Sequence, residues 1–231
     1  MSESPLAAAQ CLFAQALDAV RGVAEAGSAD ERVSVLRLCE AVARQVDQVT
    51  VAAVAGLDRD GVFADRGYRS AVQALSDLLG WEHVEARRRT VAADQVAPRT
   101  GLDGAVLPAR LPATAEVFGA GRGGLRHVEV IARVLGGKAA GRLSPQQWAG
   151  AEEQLAGLAT LYTPRELQES GRALVELLDQ DGEAPDDRPP ALVNELFLSR
   201  LPDGGGKLRG RFDDAALFAA CLLYTSDAAD E

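Results

Sequence analysis

SADERVSVLRLCEAVARQVDQVTVAAVAG, residues 28–56, decides the fold. It opens on Ser28-Ala-Asp-Glu31, a spacing at which hydroxyl and carboxylate can satisfy each other's orphan amides at a helix start. Val35, Leu38, Val42, Val46, Val49 and Val54 then recur at helical spacings, which predicts one apolar stripe along a helix ending near Gly56. The stripe needs a partner. Upstream, Ser4-Pro5 can start a first helix that runs to Gly27 through Leu6, Leu12, Leu17 and Val20. The expectation is an antiparallel pair of helices.

The same pattern continues downstream. Helices are predicted over 70–79, from 82 to about 96, in LPATAEVF (111–118), and over 125–135. Ser144-Pro-Gln-Gln147 and Thr163-Pro-Arg-Glu166 each join an N-cap, a proline and a capping-box partner, and so start two more. EAPDDRPP (183–190) breaks the chain. Beyond it, ELFLSRL and KLRGRF flank PDGGG, the strongest hairpin signal in the sequence. The predicted architecture is mainly α: a bundle of about eight helices over 1–182, then a linker and one β-hairpin over 183–220.

Composition agrees with this. Apolar residues make up 47% of the 231, but aromatics only 5%, so the core must be Leu, Val and Ala, which suits close-packed helices. No uncharged apolar run is long enough for a transmembrane helix, and MSESPLAAAQ has no basic leader, so a cytoplasmic protein is expected. The three cysteines form no CxxC pair, which leaves no zinc site or disulfide framework in view.

The formal net charge is −10, unevenly spread. Residues 1–65 hold 5 cations and 10 anions, residues 66–142 hold 12 and 7, and residues 143–231 hold 7 and 17. A basic middle lies between acidic flanks, a local feature that the total conceals.

Within that middle, SAVQALSDLLGWEHVEARRRTVAADQ (70–95) reads as helix, glycine turn, helix, with Arg87, Arg88 and Arg89 on the second helix. It can be a helix-turn-helix whose arginines meet phosphate, or a plain helical hairpin with a solvated charged face. Only some of three consecutive arginines can face one way, because helical neighbours point about 100° apart. Arg122, Arg126 and Arg133 extend the cationic set.

The only two histidines both stand in the tripeptide His-Val-Glu, at 83–85 and 127–129. They can be an acid/base or metal pair, or a degenerate repeat of one helix-start pattern in which each His is a polar boundary residue. The pairs Glu152-Glu153, Asp186-Asp187 and Asp213-Asp214 read as solvated, since adjacency rarely aims two carboxylates at one atom. Lys207, Arg209 and Arg211 alternate along the second hairpin strand as a charged face. The motifs of P-loops, dinucleotide folds, α/β-hydrolases and zincins are absent, so no catalytic residue is named.

LPATAEVFGAGRGGLRHVEVIARVL, LYTPRELQESGRALVELLDQDG and FLSRLPDGGGKLRGRFD, in that order, resemble the actinobacterial domain-of-unknown-function family 222, the thirteen-E-twelve repeat family, over roughly residues 30–220. The resemblance implies a helical region N-terminal to an HNH endonuclease domain, in which a divalent metal would stabilise phosphoryl charge while a histidine activates water. None of those nuclease residues has a counterpart here, so no cofactor is expected in this chain. Two functions are therefore expected as alternatives: a DNA-contacting module of a nuclease polypeptide, using Arg87, Arg88, Arg89, Arg122, Arg126 and Arg133, or a scaffold for protein interaction or self-association. The last eleven residues, CLLYTSDAADE (221–231), written back into codons, resemble a transposase-based sequencing adapter translated in one frame. They are expected to carry no functional weight.

Overall fold

The computed structural model describes residues 4–101, 103–180, 182, 194–201 and 204–220. The expected linker at 183–190 and the tail at 221–231 lie outside the described residues. The chain forms two compact units, 1–182 and 183–231. The first is mainly helical and the second contains the hairpin, so the fold is mainly α.

Capping chemistry places most helix starts in the first unit. Helix α1 (Pro5–Ala26) begins on its proline, and α2 (Ala29–Arg59) begins on the Ser28/Glu31 box, with the Ser28 amide donating to Glu31 at 2.7 Å. Helix α2 passes straight through Gly56 and stops a turn later. The stop is Gly61, whose φ of 70° is the left-handed turn that ends the helix, whereas Gly56 merely tolerates it. A short α3 (Val62–Asp65) follows and buries Phe63. Helices α4 (Ala71–Leu79) and α5 (His83–Val96) are joined through Gly80, again left-handed at φ 67°.

Between α5 and α6 (Pro112–Gly119) lies a feature absent from the sequence reading. Strands β1 (Arg99–Thr100) and β2 (Val106–Leu107) form a two-residue antiparallel ladder. Helix α7 (Leu125–Leu135), a 3₁₀ turn (Ala140–Arg142), α8 (Pro145–Leu158) and α9 (Pro164–Leu178) complete the unit.

The core forms in two clusters. One gathers Val51 and Val54 of α2, Ala74 and Leu75 of α4, Ala86 and Ala92 of α5, and Phe118 and Val128. The other gathers Ile131 and Leu135 of α7, Leu155 of α8, and Leu167 and Val175 of α9. Helix α5 packs on α2, α4, α6 and α7. Its inward positions are alanines, which let four neighbours approach one axis. At the α7–α9 crossing Gly171 serves the same purpose: a Cβ there would stand 3.2 Å from Val134 and Leu155.

Two expectations need correction. Glu152 is not solvated: it is 2% exposed, and its carboxylate accepts from the Thr114 amide (2.7 Å), the Thr114 hydroxyl (2.6 Å) and the Ala113 amide (3.2 Å). Helix α6 has no capping side chain of its own at Leu111, so a carboxylate from α8 fills that role from across the core. The α1–α2 pair forms, but how much it covers is the second correction. No residue of α1 is buried, and Leu38, Val42, Val46 and Val49 of α2 remain exposed. The stripe is real, but α1 does not cover it.

In the second unit β3 (Asn194–Arg200) pairs antiparallel with β4 (Gly206–Phe212), Leu198 opposite Leu208. Lys207, Arg209 and Arg211 are exposed, and so is Leu208 on the other face. Among the described residues no helix is long and apolar enough to cross a membrane.

Replacing Glu152 with Ala strands two amides and a hydroxyl at the α6 start. It should lower unfolding stability by about 2 kcal/mol in urea titrations. Glu153→Ala, at the exposed neighbour, should stay within about 0.5 kcal/mol of wild type.

Candidate nucleic-acid interface

Three consecutive arginines on α5 take three separate paths. Arg89 turns inward, with its Nη2 3.1 Å from Asp47 of α2, its Nη1 2.9 Å from Glu85 one turn back, and its guanidinium 4.4 Å from the centre of the Trp81 ring. Its buried Nε finds no hydrogen-bond partner among the described residues, so this guanidinium is held by its two terminal nitrogens and by stacking. Arg88 bonds Glu85 and, through Nε at 2.8 Å, Glu129 of α7. The Arg89 and Arg88 side chains are only 18% and 12% exposed. Arg87 is exposed, with no ion pair among the described residues.

One network, Asp47–Arg89–Glu85–Arg88–Glu129, therefore runs from α2 through α5 to α7. Arg88 and Arg89 spend their donors on carboxylates of the same chain, which takes both out of the outward-facing cationic set. Burial and ion pairing, not surface display, explain two of the three adjacent arginines.

The two His-Val-Glu tripeptides meet here. Their glutamates, Glu85 and Glu129, share Arg88, and each also pairs with the arginine four residues on: Glu85 with Arg89, Glu129 with Arg133 at 2.8 Å. The repeated unit is thus His-Val-Glu-x-x-x-Arg, and its working residue is the glutamate. The histidines diverge. His83 is exposed, whereas His127 is buried and plays a cap role at the start of α7. The Gly124 amide donates to His127 Nδ1 at 3.1 Å, so the proton resides on Nε2, which donates to the Tyr162 carbonyl at 2.9 Å. His127 is more than a boundary residue: it ties α7 to the turn before α9.

Electrostatics follow from these contacts. The Arg89 hydrogen bond, assisted by Arg88, outweighs burial and holds Glu85 below the usual carboxylate range. Burial pushes Glu129 up, but Arg88, with Arg133 and Arg126 nearby, brings it below its ordinary value.

Arg126 reaches Glu129 at 3.6 Å from an exposed position, and Arg133 is exposed too. Arg122 stands apart, 3.7 Å from Glu116. Two hollows flank the network. A groove of about 430 Å³ between α5 and α7 is bordered by His83, Arg87, Arg88 and Arg133, with Glu129 its only carboxylate among the described residues. A cleft of about 540 Å³ on the other side takes in Arg44, Arg88, Arg89 and Arg126, but also Glu40, Asp47 and Glu85. The first has excess positive charge; the second is close to balanced. Asp47 and Trp81 escaped the sequence reading because their partner, Arg89, lies 42 and 8 residues away. The Glu-to-Arg spacing of four was the one local signal available.

Among the described residues no group of three His, Cys, Asp or Glu side chains could hold a metal ion. His127, moreover, is committed at both ring nitrogens.

Residues 33–222 match the family described as Domain of unknown function (DUF222). The chain belongs to this family. Two uncharacterised proteins, from two strains of Mycobacterium tuberculosis, are each 30% identical to it over 199 residues, which is 86% of this chain. That alignment covers 47% of one relative and 44% of the other, so the chain spans under half the length of the curated relatives it matches. No solved structure matches it. The DUF222 match takes in α2 from Val33 onward, the whole ion-pair network and the β3–β4 hairpin.

Because Glu85 and Glu129 are held below their ordinary pKa of about 4.3, the network stabilises the fold above that value. The contribution is lost as pH falls through the ordinary value towards the lower folded one. Thermal melts should be flat down to about pH 5 and fall steeply below it. Arg88→Met should lower the melting temperature at pH 7 and flatten this acid slope, since Glu129 then has less to lose on protonation.

Proposed function

We propose that the helical unit contacts the phosphate backbone of DNA through the α5–α7 face, as the N-terminal part of a longer cytoplasmic protein that carries an HNH nuclease domain. The observation that carries the reading is the set of exposed guanidiniums around Glu129. Arg126 and Arg133 lean on that single carboxylate, Arg126 from the neighbouring cleft, and Arg87 borders the groove of Arg133 with no acid of its own among the described residues. Glu129 is already shared with Arg88, so the face keeps an excess of positive charge in a chain whose total is −10. Such a face attracts a polyanion locally, and releasing counterions from phosphates supplies the affinity.

Of the six arginines expected to touch DNA, Arg87, Arg126 and Arg133 keep that role. Arg88 and Arg89 instead hold α5 in place, and Arg122 is an outlying contact. Base readout is not part of the proposal: backbone contacts position a protein without specifying sequence. The nuclease reading rests on the family resemblance and on relatives that are about twice as long as the matched region. The divalent metal of an HNH centre would need ligands from outside the described residues, so no catalytic step is assigned to this chain. The alternative of an assembly scaffold draws on a different part of the molecule, the exposed α1–α2 hairpin.

Fluorescence anisotropy with a labelled duplex should show binding at low salt that weakens steeply as salt rises. The triple variant Arg87→Ala, Arg126→Ala, Arg133→Ala should reduce the slope of log K against log salt by roughly 0.9 for each phosphate that is no longer neutralised. An unchanged slope, or no binding by wild type at the lowest salt, rules the reading out.

A further inference from the structure

The α1–α2 hairpin presents more apolar surface than a free-standing pair of helices can leave in water. Every described residue of α1 up to Ala19 is exposed, Leu6, Phe13 and Leu17 among them, and α2 buries nothing before Val51. Leu38, Val42 and Val46 of the predicted stripe are exposed as well. The apolar face of an amphipathic helix is ordinarily covered, and most helical stability in proteins comes from packing such a face.

The chemistry of the hairpin narrows what surrounds it. Pro5–Leu17 contains no charged residue, and the one cation of α1, Arg21, is paired with Asp18 at 2.8 Å. A nucleic acid finds nothing to bind there. An anionic membrane surface wants a helix with a cationic polar face, and α1 has no such face. A protein surface with an equally exposed apolar face remains, and the hairpin itself is one.

Charge favours the same answer. From Pro5 to Val46 the chain holds four cations (Arg21, Arg32, Arg37, Arg44) and five anions (Asp18, Glu25, Asp30, Glu31, Glu40), so this region is nearly neutral in a strongly acidic chain. Two copies can approach on it without the repulsion that other surfaces would impose. Size agrees too. The 22 residues of α1 span about 33 Å, and two helices side by side present a face roughly 20 Å wide. Once side-chain relief is added, that footprint is close to the roughly 800 Å² per partner of a stable interface.

We propose that the α1–α2 hairpin is a homodimerisation element, in which the hairpins of two copies pack together as a four-helix bundle. The proposal is independent of DNA contact, which uses α5 and α7.

The test is sedimentation equilibrium of the full 231-residue chain from about 1 to 100 μM, with circular dichroism as the check on folding. The expected result is a dimer for wild type and a monomer for Leu12→Glu/Phe13→Glu on α1 and, separately, for Leu36→Glu on α2, with cooperative melting retained. Leu161→Glu, at an equally exposed leucine outside the hairpin, should remain dimeric. A wild type that stays monomeric over the whole range overturns the proposal, whether or not it binds lipid vesicles. A dimer that survives both hairpin variants overturns it as well.

Discussion

Arg88 is the pivot of the helical unit. It sits 12% exposed on the helix that touches four others, and it bonds a glutamate of its own helix and a glutamate of α7. With Arg89 bonded to Asp47, α5 is fixed in azimuth and height against α2 and α7 by directional contacts as well as by packing. The distinction matters because α5 brings mainly alanines to the core. Alanine permits close approach but specifies rotation poorly, since a smooth surface can slide. Replacing the whole network with apolar residues would not necessarily weaken the fold, as buried ion pairs often do no better than hydrophobic isosteres. Removing one partner is different, because the remaining charge is left half-buried and alone. The network sets which face of α5 points where.

That orientation decides what Arg87 can do. Successive helical residues diverge by about 100°, so anchoring Arg88 and Arg89 inward leaves Arg87 pointing away. One constraint thus produces both the interior lattice of charges and the outward cation beside it. Glu129 repeats the arrangement on α7: it accepts from Arg88 on its inner side and gathers Arg126 and Arg133 on its outer side. A single carboxylate shared by three guanidiniums leaves positive charge uncompensated, and that surplus lies on the exposed edge.

What was legible in the sequence was what depends on near neighbours. Ser28, Ser144 and Thr163 each begin a helix because the caps and their partners are three residues apart, and the capping boxes form as read. The hairpin at 194–212 was equally plain from strand alternation around a glycine-rich turn. Glu152 was misread because its role depends on Thr114, 38 residues away, and nothing near it signals burial. The β1–β2 ladder is two residues long, too short for any period to register. Three adjacent arginines looked like a surface patch because a run of charge usually is one. Their division between core and surface depends on Asp47 and Glu129, each about 40 residues distant.

The first helical pair is a different case: the two helices pack on each other as the pattern implies, but the packing does not bury the stripe. The stripe from Val35 to Val49 has the right period, and a second helix of matching length precedes it. Yet the pairing leaves that stripe open: Leu38, Val42, Val46 and Val49 stay exposed. At 100° per residue Leu6, Phe13, Leu17 and Val20 of α1 also share one face, which Leu12 and Val23 widen, and Leu6, Leu12, Phe13, Leu17 and Val23 are exposed too. Each helix of the pair thus carries an apolar face that its partner does not cover. The smallest arrangement that covers both is a bundle of more helices than this hairpin contains.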